Sequence, residues 1–117
     1  MWTASFRTPG LSLSDPRCVS IARTAPRNYH GRVYRKLCPT RKLLSAWRAG
    51  QLTPEQYAAE YEATVLYWAH ANEVVEELGN DAILFCWEPA GAFCHRRLAA
   101  HWLETELGIV VPEWAGE

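Results

Sequence analysis

The sequence has no long hydrophobic run and no closely spaced cysteines. No apolar stretch approaches the roughly 18 residues that a membrane-spanning helix needs, and residues 1–5 do not begin a signal peptide. We therefore expect a cytoplasmic protein that has no membrane partner. Its four cysteines, Cys18, Cys38, Cys86 and Cys94, should then be reduced thiols rather than a disulfide framework. None belongs to a Cys-x-x-Cys pair, which argues against a zinc ribbon or a thioredoxin-type motif.

Acidic residues are almost absent from the first 50 residues. That part has ten Arg or Lys and one acid, Asp15, whereas residues 51–117 have twelve acids and two basic residues, Arg96 and Arg97. The formal charges of the two parts are therefore +9 and −10 within a net charge of −1. Such segregation indicates either an anion-binding face or two parts of the chain that attract each other in the folded state.

Short apolar segments and amphipathic helices alternate along the 117 residues. We predict strands at 2–6, 18–22, 82–87 and 109–111, and helices at 40–49, 53–78 and 94–107. The last three elements form a strand-helix-strand unit, which should be a right-handed parallel crossover. The sequence thus predicts a single small α/β domain over residues 1–117, with a mainly parallel sheet flanked by helices.

The predicted helix at 53–78 has the clearest start signal in the chain. Thr53 and Gln56 fit a capping box around Pro54, and Gly79 is a C-terminal stop. Its predicted core stripe consists of Tyr57, Tyr61, Val65, Trp68, Val75 and Leu78. Most of its glutamates lie off this stripe, where several could face the basic first part of the chain.

A basic segment at residues 23–36 combines arginines with aromatic side chains. Its five basic residues alternate with Tyr29, His30 and Tyr34, and Pro26 and Gly31 forbid a continuous helix. Guanidinium groups beside aromatic rings suit phosphates and stacked bases. The alternative is a solvated loop whose tyrosines pack inward.

Residues 82–98 contain the densest cluster of reactive side chains. Cys86 lies near the end of the predicted strand at 82–87, Glu88 follows that strand, and Cys94 and His95 open the next helix. Ligands of open α/β sheets bind at the carboxyl ends of strands, where the following helices begin. A helix N-terminus also favours anions and lowers the pKa of a thiol placed there. The sequence therefore predicts a functional site at this helix start.

Three kinds of site fit these residues. In an anion site, His95, Arg96 and Arg97 hold a phosphate and Arg23 or Arg27 closes from the basic segment. In a nucleophilic site, Cys94 attacks, His95 or Glu88 moves protons and Arg96 steadies the developing charge. The donors of a zinc site would be Cys86, Cys94 and His95, with Cys38 as a further candidate.

The zinc spacing fits no standard finger, so we predict no cofactor. In a purely structural alternative, Cys86 is an apolar core residue and Cys94 a packed residue at the helix start.

The ordered set of motifs resembles a bacterial and phage family, domain of unknown function four-eight-eight. The matching segments are Leu84-Phe-Cys-Trp-Glu88, Cys94-His95-Arg96, Ser20-Ile-Ala-Arg23-Thr-Ala-Pro26 and Leu37-Cys-Pro39, within residues 18–113. The resemblance implies an α/β fold and a shared set that consists of Arg23, Pro26, Cys86, Glu88, Cys94, His95 and Arg96. Members commonly have a lysine after the strand glutamate, where this sequence has Pro89. The family supplies no activity that could be transferred.

Two functions follow as expectations. The first is a phosphate- or nucleotide-binding pocket at Cys94-His95-Arg96 that supports thiol-dependent catalysis on a small molecule. The second is a non-enzymatic nucleic-acid-binding accessory that uses the basic residues 17–48, with a structural or zinc-binding Cys-His-Arg site. The second predicts an affinity that falls steeply with salt.

Overall fold

The computed structural model describes residues 1–89 and 91–116, and in this part of the chain four strands and four α-helices form. The strands are β1 (Trp2–Ser5), β2 (Cys18–Ser20), β3 (Arg32–Val33) and β4 (Ile83–Cys86). The helices are α1 (Arg41–Arg48), α2 (Pro54–Thr64), α3 (Ala71–Leu78) and α4 (His95–Leu107). Two single turns of 3-10 helix lie at Arg35–Leu37 and Leu66–Trp68.

The strands form one parallel sheet in the order β1-β4-β2-β3. The apolar strand β4 is central, and its residue Cys86 lies beside Ser5 of β1 while Phe85 lies beside Ser20 of β2. All four residues of β4 are buried, as expected for a strand covered on both faces. The predicted α/β domain with a mainly parallel sheet is confirmed.

A different hydrophobic core packs against each face of the sheet. The larger core contains Val19 and Leu84 from the sheet and buried residues from all four helices. The smaller core on the other face contains Ile83 and Phe85, and none of its described residues belongs to a helix. This alternation of adjacent β4 residues between two cores follows from the two-residue period of a strand.

The prediction of a single helix at 53–78 is wrong, because the helix is interrupted between α2 and α3. After Tyr61, the 3-10 turn bonds Trp68 N to Val65 O and Ala69 N to Leu66 O. The tighter turn buries both Val65 and Leu66 and rotates the following residues. Trp68, a predicted core residue, is therefore 73% exposed.

The strand predicted at 109–111 does not form within the described residues. Gly108 ends α4 in the left-handed conformation, with φ 66°. Two side chains then form hydrogen bonds with the backbone of Val111. Its N–H donates to Glu104 Oε2, and its carbonyl oxygen accepts from Arg97. The chain instead approaches β1 two residues later, through one parallel bridge between Thr3 and Glu113.

The basic segment at 23–36 contains structure that its sequence did not predict. Arg32 and Val33 form the exposed edge strand β3 beside β2. The predicted alternative in which the tyrosines pack inward agrees with the structure, since Tyr29 and Tyr34 are both buried. None of the described helices has the length and apolar character that crossing a membrane requires.

Candidate functional site

A cleft of about 830 Å³ opens at the carboxyl-terminal edge of the sheet. Four residues of the predicted reactive cluster line it: Cys86, Glu88, Cys94 and His95. Cys86 is the last residue of β4, and Cys94 is the N-cap residue of α4. Strand end and helix start therefore meet here, as the α/β rule for ligand sites predicts.

Cys86 and Cys94 are joined by a disulfide, with an S–S distance of 2.04 Å and a Cα–Cα distance of 7.6 Å. The expectation of four reduced thiols is thus wrong for this pair, because the turn between β4 and α4 brings the two sulfur atoms together. Cys18 and Cys38 are free and buried. Burial raises the pKa of Cys18 to about 11 and also raises that of Cys38, so neither is a ready thiolate.

His95 directs one ring nitrogen at the cysteine pair. Its Nε2 lies 2.7 Å from the carbonyl oxygen of Ile21, and a carbonyl can only accept, so Nε2 carries the proton. Nδ1 then has a free lone pair in the neutral ring, and it lies 3.8 Å from Cys94 Sγ. Burial lowers the pKa of His95 to about 4, although the bond to Ile21 works in the opposite direction. The imidazole is therefore neutral at physiological pH.

Arg96 is fully buried and does not line the cleft, unlike the predicted anion ligand. Nε and Nη2 donate to the two carboxylate oxygens of Glu113, at 3.1 and 2.6 Å. Nη1 donates to Glu88 O at 2.7 Å and to Cys86 Sγ at 3.1 Å. Its contacts with the cleft lining are thus made through the sulfur of Cys86 and the carbonyl oxygen of Glu88.

The four arginines predicted to bind an anion are not brought together. Arg23 lines the cleft, whereas Arg97 donates to Thr3 Oγ1 and to Val111 O, at 2.8 and 2.9 Å. Arg27 is exposed and is not among the residues that line the cleft.

Two further arginines, Arg7 and Arg48, complete the basic lining of the cleft. Both are exposed, and neither was predicted as a site residue. Arg7 lies two residues beyond β1. The carboxyl end of β1 therefore signals Arg7 by the same rule that points to Cys86 and Glu88 at the carboxyl end of β4. Arg48 is the last residue of α1. It lies far from the reactive cluster in the sequence, and no sequence pattern indicates that it belongs to the site.

Aromatic rings form another part of the lining. Trp47 of α1, Tyr57 of α2 and Phe93 before α4 contact one another with ring centroids 5.2 to 5.4 Å apart. The cleft therefore offers an apolar wall together with its guanidinium groups. Such a combination suits a ligand that has both an uncharged body and an anionic group.

The buried donors Cys86 Sγ, Cys94 Sγ and a ring nitrogen of His95 lie within 4.8 Å of one another. Cys38, the further candidate from the sequence, is not part of this group. Its sulfur lies instead near the carbonyl oxygens of Ala22 and Tyr34, at 3.4 and 3.5 Å.

Comparison with protein families identifies a family to which most of the chain is similar. The family model DUF488-N3a, described as the Active DUF488-N3 subclade, matches residues 7–107. The matched range contains every residue that lines the cleft and excludes Glu113. Neither the curated proteins nor the solved structures include a significant match to the chain.

Proposed function

The chain belongs to the Active DUF488-N3 subclade of domain-of-unknown-function family 488, and we propose that it is a thiol-dependent enzyme for a phosphate-bearing small molecule. One observation carries this proposal: Cys94 and three arginines, Arg7, Arg23 and Arg48, line the same cleft. A nucleophile and a set of anion ligands thus face one bound molecule.

The arginines bind the phosphate. A guanidinium can donate two parallel hydrogen bonds to phosphate oxygens, and it stays charged at any physiological pH. Arg23 is half-buried, so its charge is less screened by solvent than those of the exposed Arg7 and Arg48. We therefore assign Arg23 the largest share of the anion affinity.

Cys94 is the nucleophile of the reduced protein. Its Sγ forms a bond to the electrophilic atom of the substrate while the bond to the leaving group breaks, and the thiol proton ends on the leaving group. The carboxylate of Glu88 lines the same cleft as a proton carrier, while Nδ1 of His95 faces Cys94 Sγ as a hydrogen-bond acceptor.

The reaction needs the pair Cys86–Cys94 in its dithiol form, because a sulfur in a disulfide has no thiolate to offer. A reducing cytoplasm, the compartment predicted from the sequence, supplies that form. Arg96 then donates to Cys86 Sγ and favours its thiolate.

Binding of the anion is tested by calorimetric titration of the reduced protein with ADP. Arg23→Ala should weaken binding by about tenfold or more, because it removes hydrogen bonds to a charged group. Arg41→Ala is the matched control, since Arg41 is an exposed arginine of α1 outside the cleft lining. Equal affinities of both variants and the wild type would contradict the arginine assignment.

The thiol is tested by its rate of alkylation with iodoacetamide. We expect ADP to slow the modification of Cys94 in the reduced protein and to leave the buried Cys38 unaffected. Cys94→Ser should abolish turnover of a phosphate-bearing substrate, and Cys38→Ser should retain it. A fully active Cys94→Ser variant would rule out the nucleophile.

A second candidate function, nucleic-acid binding, is supported by one surface feature. Trp68, a residue that is 73% exposed, lines a shallow hollow with Arg23, Arg35 and Lys36. An exposed ring beside basic side chains is the arrangement on which single-stranded bases stack.

This candidate predicts that a fluorescent oligonucleotide binds with an affinity that falls steeply with salt. Trp68→Ala should weaken that binding, whereas Trp114→Ala, in which a half-buried tryptophan from elsewhere is removed, should not. Binding that is absent at low salt would reject this function.

A further inference from the structure

We infer that the reduced protein has a site for a zinc-class divalent metal ion, formed by Cys86 Sγ, Cys94 Sγ and His95 Nδ1. This site goes beyond the anion-binding cleft, and its catalytic role rests on the proposed function. The three donors are buried at the place where β4 ends and α4 begins. Two thiolates and an imidazole are the donor types that zinc prefers.

After reduction of the disulfide, the donors are close enough to bind one ion. Around a tetrahedral zinc with Zn–S bonds of about 2.3 Å, two sulfur ligands lie roughly 3.8 Å apart, so the bonded sulfur atoms must separate to that distance. The three donor atoms lie within 4.8 Å of one another. The Cα atoms of Cys86 and Cys94 are 7.6 Å apart, more than the roughly 4.4–6.8 Å usual across a disulfide. Once the pair is reduced, the sulfur atoms therefore have room to separate around an ion.

The surroundings of the donors support the same conclusion. Metal-binding histidines usually donate their other N–H to a carbonyl or carboxylate, which fixes the ring. His95 does this through Nε2 and the carbonyl oxygen of Ile21, at 2.7 Å, which leaves Nδ1 as the free donor atom. Arg96 Nη1 lies 3.1 Å from Cys86 Sγ and favours the thiolate that a metal requires.

The site has three protein donors and lies on the cleft. In zinc proteins, three protein ligands with an open fourth position are the pattern of catalytic sites, whereas structural sites have four. Cys86, Cys94 and His95 all line the cleft, and the carboxylate of Glu88 lies 3.6 Å from Cys86 Sγ. The fourth position is therefore accessible to water, to Glu88 or to the anion that the arginines hold.

The ion takes the place of the thiol protons. A thiol that coordinates zinc is deprotonated, so Cys94 would be a thiolate at neutral pH without transferring its proton to His95. Metal binding also keeps the pair out of the disulfide, since both sulfur atoms are ligands. In this form the lone pair of His95 Nδ1 serves as a ligand rather than as a base.

The inference is tested by titration of the full chain with Zn²⁺, after reduction and removal of metal, against a chromophoric chelator. We expect one Zn²⁺ per chain and an affinity about a hundredfold or more lower for Cys86→Ser and for Cys94→Ser. Cys18→Ser and Cys38→Ser are matched controls that should bind as the wild type does. Equal effects of all four substitutions, or less than one site per chain, would overturn the inference.

X-ray absorption on the zinc-loaded wild type provides a measurement that does not depend on variant folding. Two sulfur ligands at about 2.3 Å with nitrogen or oxygen at about 2.0–2.1 Å are expected, and any other sulfur count overturns the site. Arg23→Ala separates the two proposals, because it should weaken ADP binding by about tenfold or more and leave zinc binding unchanged. Zinc binding without any ADP binding would leave the metal site standing and reject the proposed anion cleft.

Discussion

Arg96 connects the C-terminal segment to the site from beneath the cleft. Its guanidinium contacts the carboxylate of Glu113, the carbonyl of Glu88 and the sulfur of Cys86. It thus holds three separate parts of the chain at once: the segment after α4, the turn after β4 and the end of β4 itself. We regard Arg96 as a positioning residue, since it reaches the cleft only through Cys86 and Glu88.

Arg96→Ala should lower the free energy of unfolding by about 3–5 kcal/mol. The substitution removes the buried partner of an ion pair, leaves the carboxylate of Glu113 with Thr3 as its remaining side-chain donor, and leaves the Glu88 carbonyl without the Arg96 donor. Urea denaturation at neutral pH measures this loss. Arg97→Ala is the control: it deletes a half-buried arginine of the same turn, and its loss should be clearly smaller.

Glu113 should make folding stability depend on acidic pH. Burial alone raises the pKa of Glu113, but its hydrogen bonds from Arg96 and Thr3 and the charges of Arg96 and Arg97 outweigh burial, so the pKa lies below its ordinary 4.5. A lowered pKa in the folded state means that the carboxylate stabilises the protein above pH 4.5. That contribution is lost as the pH falls through the folded-state pKa.

The measurement compares urea denaturation of the wild type and Glu113→Gln between pH 7 and pH 3. The stability difference should be constant at neutral pH and shrink in the acidic range. A difference that grows on acidification would show that Glu113 is not held as a carboxylate by Arg96.

Local sequence predicted the four reactive residues of the cleft because they adjoin in the chain. Cys86, Glu88, Cys94 and His95 lie within ten residues, and one strand-to-helix turn places them all. The partner of Arg96 is Glu113, 17 residues away, in what reads as a loose acidic tail. A contact across that separation depends on how the tail returns to β1, which no local pattern encodes.

At the scale of the element, α2 shows how a strong local signal fixes a helix start. Both bonds of the capping box form: Gln56 N donates to Thr53 Oγ1 at 3.1 Å, and Thr53 N donates to Gln56 Oε1 at 2.8 Å. The same helix places Tyr57 in the aromatic wall of the cleft. Its start is therefore linked to the shape of the site.

Thr53→Ala should destabilise the protein by about 1 kcal/mol, since it removes the hydroxyl that accepts from Gln56 N. Thr64→Ala makes the same chemical change at the other end of α2. There the exposed hydroxyl only donates back to Glu60 O, so the effect should be close to zero. Chemical denaturation of both variants provides the test, and similar losses at the two ends would contradict the capping role.

The elements that sequence failed to predict are those in which local period and tertiary packing disagree. Apolar residues continue at helical spacing across 65–70. The helix is nevertheless interrupted there, because Val65 and Leu66 are both buried against the larger core. The β-branched residues 109–111 have strand propensity. However, the side chains of Arg97 and Glu104 form hydrogen bonds with the backbone there, in place of a neighbouring strand. Both outcomes depend on side chains that are distant in sequence or belong to another element.

At the scale of the whole molecule, the segregated charges meet in the folded chain. The basic first part supplies Arg7, Arg23 and Arg48 to the cleft, and the acidic second part supplies the thiols and the imidazole. Lys36 also pairs with Glu73 and Glu77 of α3. The ion pairs of Lys36 support attraction between the two parts, whereas the anion-binding face stays a proposal.

Because the cleft is assembled from both parts of the chain, a ligand that fills it should stabilise the entire fold. ADP at about 100 times its Kd should raise the free energy of unfolding by roughly 2.7 kcal/mol, since the unfolded chain has no cleft. Urea denaturation with and without ADP measures the gain. At the same ADP concentration Arg23→Ala should gain much less and Arg41→Ala as much as the wild type, and a ligand-independent midpoint in every variant would contradict the prediction.

The placement of the tryptophans has an optical consequence. Trp47 and Trp87 line the cleft, and the indole of Trp87 is held by its Nε1–H, which donates to Thr24 O at 2.6 Å. Trp87 also follows Cys86 directly in the chain, so its excited state lies beside a sulfur whose chemical form changes with oxidation or metal binding. The protein therefore contains its own fluorophores at the place where its chemistry is proposed, and we expect part of its tryptophan emission to change with the occupancy and redox state of the cleft without any added label.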